Sequence, residues 1–335
     1  MRALAWMARR VVGAVLVIVG AAVIATAIAV ALPGDPARVL VGPQARAADD
    51  EAARRIHGLD GSATERLGRH LRRIVHVARG GAPPAEHASC ASPVAGLHVD
   101  LGHSFVHRQP VANLLWARLP RSLELAAAAL LVQLVVGVGA GLLAGSRRGG
   151  RVDDAAMGAA LLGAAAPTFV VGAALQHALA YRLRLLPFDG VGRTPGEHLA
   201  SLVLPALVLG LYGSALLARV TRDELRGALA ATAALTARAK GASRLRIVLV
   251  HGLRNALVPI ATLALLDLGA LAGGAIVTER VFRWPGLGDL AVTAVLNRDA
   301  SLIAGVTMVA AVGVVVASLA IDVLTLALDP RVRSG

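Results

Sequence analysis

Apolar residues gather into six long blocks separated by short polar, Arg-rich stretches. The blocks at 11–32, 125–146, 155–180 and 199–218 hold no Asp, Glu, Lys or Arg; 256–278 holds only Asp267, and 302–328 only Asp322. A helix rises about 1.5 Å per residue and the hydrocarbon core of a bilayer is about 30 Å thick, so roughly 20 apolar residues cross it. In lipid every backbone polar group must be satisfied within the segment, so such blocks are helices. They are too long, and alternate too little, for barrel strands. The pattern predicts an all-α membrane protein with six transmembrane helices. The first block follows Arg9 and Arg10, but its 22 apolar residues exceed the roughly 7–15 of a signal-peptide core, so it reads as a retained span.

Six spans put both termini on one side. With that side cytoplasmic, the tails, the loop 147–154 and the loop 219–255 hold 16 basic residues in 62 positions, against 6 in 41 for the outer loops 181–198 and 279–301. This bias favours both termini inside. The 33–124 segment carries 12 basic residues, but long segments cross largely regardless of charge, and it reads as an extracytoplasmic domain. The organisation expected is a tail and first helix (1–32), that outer domain (33–124), and a five-helix core (125–335) with a cytoplasmic loop at 219–255.

Composition changes this picture little. The chain is 56% hydrophobic and 16% charged, below the about 25% charged residues of soluble domains. A net charge of +13 can indicate nucleic acid, yet aromatics are only 3%, too few for base-stacking platforms, and the cations flank apolar blocks. No nucleic-acid partner is expected; membrane lipid is. Cys90 is the only cysteine, which excludes an intrachain disulfide and a Cys-rich metal site. Glycines crowd the spans, among them Gly137, Gly139, Gly141 and Gly145 in the second, and permit close helix packing. Pro167, Pro205 and Pro259 fall inside spans and can kink them.

The loop 219–255 is the most informative stretch. Residues 223–240 are rich in Ala, Leu and Arg without Pro and read as one helix. Gly241 then stands as a C-cap glycine behind Arg238 and Lys240, whose charges suit a helix C-terminus. A second short helix, 243–254, sets Ile247, Val248, Val250 and Leu253 against Arg244, Arg246 and Arg254. Helix, glycine bend and helix make a knob that either docks in a partner's groove or lies on anionic lipid.

Ala237-Arg238-Ala239-Lys240-Gly241, followed by His251-Gly252-Leu253-Arg254-Asn255-Ala256-Leu257-Val258-Pro259, resembles the cytoplasmic signature of ABC-importer permeases, and within them the dipeptide/oligopeptide/nickel permease family. Further matches follow in order: Leu32-Pro33-Gly34-Asp35-Pro36, Gly58-Leu59-Asp60, Asp100-Leu101-Gly102-His103-Ser104, Pro120-Arg121-Ser122-Leu123-Glu124-Leu125, Thr278-Glu279-Arg280-Val281-Phe282-Arg283-Trp284-Pro285-Gly286-Leu287-Gly288 and Asp329-Pro330-Arg331-Val332-Arg333. The resemblance implies a type I ABC importer permease of the bacterial inner membrane, forming half of the pore. It implies a homologous second permease, two ATPase subunits and an extracytoplasmic substrate-binding protein as partners. Di- or oligopeptides are the cargo expected, with nickel or another small solute as the alternative. Thr236, Ala237, Arg238, Lys240, Gly241, Arg244, Arg254 and Asn255 are the residues expected to couple to the ATPase.

Two departures stand out. The family has an acidic residue, an aromatic and an Arg before its Ala-Arg-Ala-Lys-Gly, where this chain has Ala231, Ala233 and Leu235. The stretch 80–96, rich in Pro, Gly and Ser, reads as an insertion in the outer domain.

Asp267 lies mid-span and, with Glu279 at the outer mouth and Pro167 in the third span, is a candidate for the pore or a subunit interface. Asp322 lies near the inner end of its span and can reach the interface. Seven of ten histidines fall in 33–124 without metal-site spacing, and read as surface residues. The sequence contains no phosphate-binding Gly-x4-Gly-Lys-Ser/Thr loop and no nucleophile–base pattern, so no cofactor and no catalytic activity are expected, and the motor must be another polypeptide. A secondary transporter would show inverted repeats, and an intramembrane enzyme a paired catalytic set in its spans; neither pattern is present.

Overall fold

A computed structural model describes residues 2–31, 97–104, 106–146 and 150–328, the strand 75–77, and positions 46, 51, 65 and 68. The motifs at 32–36 and 58–60, the 80–96 stretch, Cys90 and the 329–333 tail lie outside the described residues. Helix α1 is Arg2–Ala31. Two short antiparallel pairs follow: β1 (Val75–Val77) with β2 (Leu97–Val99), and β3 (His103–Ser104) with β4 (Gln109–Pro110). Helix α2 (Val111–Gln133) continues through a π segment, Leu134–Val138, into α3 (Gly139–Ser146). Then come α4 (Arg151–Ala165), α5 (Thr168–Leu175) with its π extension Gln176–Arg182, α6 (Pro195–Ala230) and α7 (Thr232–Ala239). One turn, α8 (Arg244–Arg246), runs through a π segment, Ile247–Leu253, into α9 (Arg254–Ala272). The chain ends in α10 (Ile276–Val281), α11 (Leu287–Leu296) and α12 (Ala300–Leu328).

Among the described residues, four helical stretches are long and apolar enough to cross a membrane: Arg9–Ala27, Val111–Ser146, Pro195–Ala230 and Ala300–Thr325. Two bent pairs raise the number to six if each is one span. This corrects two sequence expectations. The block 155–180 is not one straight helix; α4 and α5 meet at 94° across Ala166 and Pro167, where both residues are extended. The fifth span ends at Ala272, at the Gly273-Gly274 turn, so Thr278 belongs to α10. Before it, the helix expected at 243–254 is observed over 244–253 and is bent by 56° from 256–272. Pro205, by contrast, sits buried inside an unbroken α6, as membrane helices tolerate.

The chain divides into two compact units, Met1–Arg121 with Gly286–Val315, and Ser122–Pro285 with Val316–Gly335. In the first, Val111, Leu114 and Leu115 of α2 pack on Leu287 and Leu290 of α11 and on Leu302 and Val306 of α12. Space there is tight: a Cβ on Gly305 would lie 2.5 Å from Val111 Cγ1.

In the second unit α6 is the axis. Gly137, Gly141 and Gly145 recur every fourth residue and so share one helix face. That face lies on α6: a Cβ would sit 2.9 Å from the Ser214 carbonyl at Gly137, 2.5 Å from Thr221 Cβ at Gly141, and 2.9 Å from Leu225 Cδ2 at Gly145. Small residues let membrane helices approach this closely. Gly139, one turn-face away, meets nothing within 4 Å. Farther along α6, Leu204 and Val208 pack with Phe282, and Leu202 and Ala206 with Leu125 and Trp284.

Candidate functional site

The expected docking helix is shorter than the sequence suggested. Residues 223–230 belong to α6, which ends at Ala231 (φ −69°, ψ 150°). Nothing in the Ala-rich run marks that stop, so the sequence read 223–240 as one helix. The separate α7 has only Ala234 buried; Thr232, Ala233, Leu235, Thr236, Arg238, Ala239 and Lys240 are exposed and Ala237 is half-buried. Ala231 and Ala233, two of the departures from the family pattern, are thus the extended residue before α7 and an exposed position on it.

Gly241 stands at φ +79°. Its N–H donates to the Arg238 carbonyl at 3.0 Å and the Ala242 N–H to the Ala237 carbonyl at 3.1 Å. This pair of bonds is the Schellman arrangement, in which a left-handed residue ends a helix. Ser243 then caps the next helix, its hydroxyl accepting from the Arg246 N–H at 3.4 Å. Ile247 and Val248 turn inward, whereas Leu245, Leu249 and Val250 are exposed. Gly252 permits Leu225 to sit against the backbone, since a Cβ there would lie 2.2 Å from Leu225 Cδ1. A groove beside α7 is lined by Ser146, Leu229, Leu235, Arg238, Arg244 and Val248. Arg244 donates to the Ser146 carbonyl, and Arg254 is exposed. The Asn255 side chain lies outside the described residues.

Asp267 sits in α9 and has a specific partner. Gln133, 2% exposed, donates Nε2 to Asp267 Oδ2 at 2.5 Å and reaches the Gly213 carbonyl at 3.2 Å. The amide therefore ties α2, α6 and α9 at one level, immediately before the π segment of the second span. Gly213 leaves the room: its Cβ would lie 2.7 Å from Gln133 Cδ. Gln133 was missed, although it is the one amide in an otherwise uncharged block. Asp322 is half-buried in α12.

Glu279 is fully buried. Its Oε1 accepts from Ser122 Oγ at 2.9 Å and from the Ala275 N–H at 3.1 Å, and its carbonyl accepts from the Trp284 N–H at 2.8 Å. The carboxylate thus fixes the start of α10 and the carbonyl closes the turn that buries Phe282 and Trp284, which gives the 278–284 part of the motif a structural reading. Pro167 is exposed at the α4–α5 break, and α5 beyond it packs Gly172 against Phe282. Among the described residues, Asp267 and Glu279 have different hydrogen-bond partners, and Pro167 marks the α4–α5 break.

The Asp100–Ser104 motif also acquires a structural reading. Asp100 Oδ1 accepts from the Gly102 N–H at 2.8 Å, with Gly102 at φ +79°. Ser104 Oγ donates to Asp299 Oδ2 at 2.5 Å while Asp299 Oδ1 accepts from the Leu302 N–H at 3.1 Å, at the start of α12. Asp299 was not anticipated, since its partner lies 195 residues away.

Comparison with known proteins agrees with this architecture. Residues 137–334 match the family model "Binding-protein-dependent transport system inner membrane component", and residues 3–126 match the N-terminal model of the same transport systems. The chain is 35% identical over 302 residues to the glutathione transport system permease protein GsiC of Escherichia coli O6:H1, and 34% identical to that of Escherichia coli K12, covering 90% of this chain and 90% of each relative. Among solved structures it resembles a chain of the MetNI methionine ABC transporter in an inward-facing conformation, with a TM-score of 0.55 at 18% identity over 66% of this chain and 98% of that one. The last likeness gives the fold, that of type I ABC importer permeases. This chain belongs to the binding-protein-dependent transport system inner membrane components, as a permease component of an ABC importer.

Proposed function

We propose that the chain forms half of a translocation pore for di- or oligopeptides or peptide-like solutes. A homologous second permease completes the pore, two ATPase subunits dock on the 219–255 loop, and a binding protein delivers cargo to the 33–124 domain outside. Both termini are then cytoplasmic. The peptide reading is supported by the glutathione permeases among the relatives, glutathione being a tripeptide. ATP hydrolysis falls to the separate subunits, since no phosphate-binding loop occurs in the sequence.

The observation that carries the docking reading is α7 itself. It is an eight-residue helix with one buried residue, closed by a left-handed glycine and presenting Thr236, Arg238 and Lys240 outward. Closure of the ATPase pair on α7 biases a pore with two states. Gly241→Val tests this. A β-branched residue in the left-handed region costs about 1–3 kcal/mol. At 1.4 kcal/mol per tenfold, the docked population falls about ten- to a hundredfold. The variant is expected to reach the membrane, because the apolar spans are untouched, and to lose both ATPase co-purification and glutathione or dipeptide uptake. Wild-type co-purification and uptake in Gly241→Val refute the docking role.

A further inference from the structure

Buried Asp153 and the half-buried Arg222 and Arg226 form a charge cluster that no coupling motif includes. Asp153 lies in the first turn of α4 and is 3% exposed. Arg222 and Arg226 are one helical turn apart on α6, so both guanidinium groups reach the same side. Arg222 Nε lies 2.8 Å from Asp153 Oδ1, and Arg222 Nη2 donates to Oδ2 at 3.0 Å. Arg226 Nη2 also donates to Oδ2, and reaches the Ala144 carbonyl of α3 at 3.3 Å. Thr221 and Leu225, each next to one of these arginines in sequence, are the residues that fill the Gly141 and Gly145 notches of α3. One carboxylate therefore fastens α4 to α6, and one arginine also holds α3, within about three turns of the point where α6 gives way to α7.

We infer that Asp153 is a positioning residue for energy coupling: with Arg222 and Arg226 it joins α4 to the α7-proximal end of α6, so that both move as one lever when α7 is pulled. This rests on the docking reading above and adds to it the path by which a pull on α7 reaches the bent α4–α5 pair. The physical basis is directional. Apolar packing against small residues allows sliding, whereas a carboxylate shared by two planar guanidinium forks fixes both separation and register. Burial of Asp153 raises the cost of separating the charges, because its carboxylate without the arginines would be stranded away from water.

The test uses the full complex with its second permease, ATPases and binding protein, in a background with Cys90→Ser and cysteine-free partner subunits. Spin labels at Ala155→Cys on α4 and Thr232→Cys on α7 report the distance between them before and after trapping with ATP and vanadate. With Asp153 present the distance is expected to stay the same on trapping. In Asp153→Asn it is expected to change on trapping, while the ATPases still co-purify and binding-protein-stimulated ATP hydrolysis, read with glutathione as the cargo probe, drops at least tenfold. The exchange Asp153→Arg with Arg222→Asp should restore both readouts. Should Asp153→Asn fail to accumulate, Arg222→Lys, which keeps the charge and loses the fork, should show the same distance change in milder form. An unchanged distance in Asp153→Asn and Arg222→Lys overturns the proposal. So does loss of the ATPases from the Asp153→Asn complex, which would make the cluster part of the docking surface, or failure of the charge exchange to restore coupling. Failure of the docking reading itself is seen separately, as ATPase retention in Gly241→Val.

Discussion

At its first residue α6 is held by neighbours in sequence. Thr194 accepts from the Glu197 N–H at 3.3 Å, Glu197 reaches back to the Thr194 and Arg193 N–H groups, and Pro195 presets the first turn. Close by, His198 pairs with Glu124 and stands 5.6 Å from the Trp284 ring, within a turn shaped by residues 275–284. At its last turns α6 is held by residues far away: Asp153, 69 and 73 positions back, and the Gly141 and Gly145 notches. The beginning joins a first turn that caps itself to a packed corner around Trp284, while the end is a joint assembled from three helices. A first turn that satisfies its own N–H groups keeps its geometry without help from other helices. A joint between helices moves as a unit only while its long-range contacts persist, which suits the end that leads into α7.

The sharpest way to break this contrast is to hollow out the corner. Trp284 is fully buried against Leu125, Leu202 and Ala206. Trp284→Ala is expected to cost about 3–5 kcal/mol, as for large aromatic truncations in a packed core. Thermal unfolding of the detergent-solubilised permease reads it, and a midpoint equal to wild type would mean that the corner is not a stability anchor. Next in size is the joint. A side chain at Gly141 must displace Thr221 Cβ, 2.5 Å away, and the Ala218 carbonyl, 2.6 Å away. Gly141→Val should cost about 1–3 kcal/mol through overpacking. Gly139→Val, which meets nothing within 4 Å, is the control on the same helix. Equal melting of the two variants would remove the glycine stripe from the account.

This contrast also explains what the sequence allowed one to read. Apolar length revealed the spans, and Arg238, Lys240 and Gly241 marked the end of α7, because each signal is local. The turn at Glu279–Trp284 was visible as a motif, though not the reason for its acid, which is a buried acceptor for Ser122 and the Ala275 N–H. The bend at Pro167 was foreseen only as a possible kink, since proline limits the preceding residue without fixing an angle. Gln133–Asp267, separated by 134 residues, and Asp153–Arg222 remained hidden, because pairing across helices leaves no periodic trace. The stop at Ala231 was hidden for the opposite reason: alanine favours helix everywhere, so a break in an Ala run has no composition to announce it.

That break supplies the smallest and most specific prediction. Ala231 is the residue before α7, its extended backbone is the conformation of a helix N-cap, and its carbonyl accepts from the Ala234 and Leu235 N–H groups at 3.0 and 3.2 Å. Yet it offers no side chain to the orphan N–H groups of the first turn, whereas Thr194 does so for α6. Eight residues without a cap make a marginal helix, so part of any docking energy goes into ordering α7. Ala231→Asp places a cap and a negative charge at the positive end of the helix, a change worth about 1 kcal/mol. If ordering α7 limits docking, the ATPase should bind about fivefold tighter, the equivalent of about 1 kcal/mol. Titration of purified ATPase onto the permease measures it, and Thr194→Ala, which weakens a cap remote from α7, should leave that affinity unchanged. An affinity unmoved by Ala231→Asp would mean that α7 is already ordered before the partner arrives, and that the joint rather than the helix sets the cost of coupling.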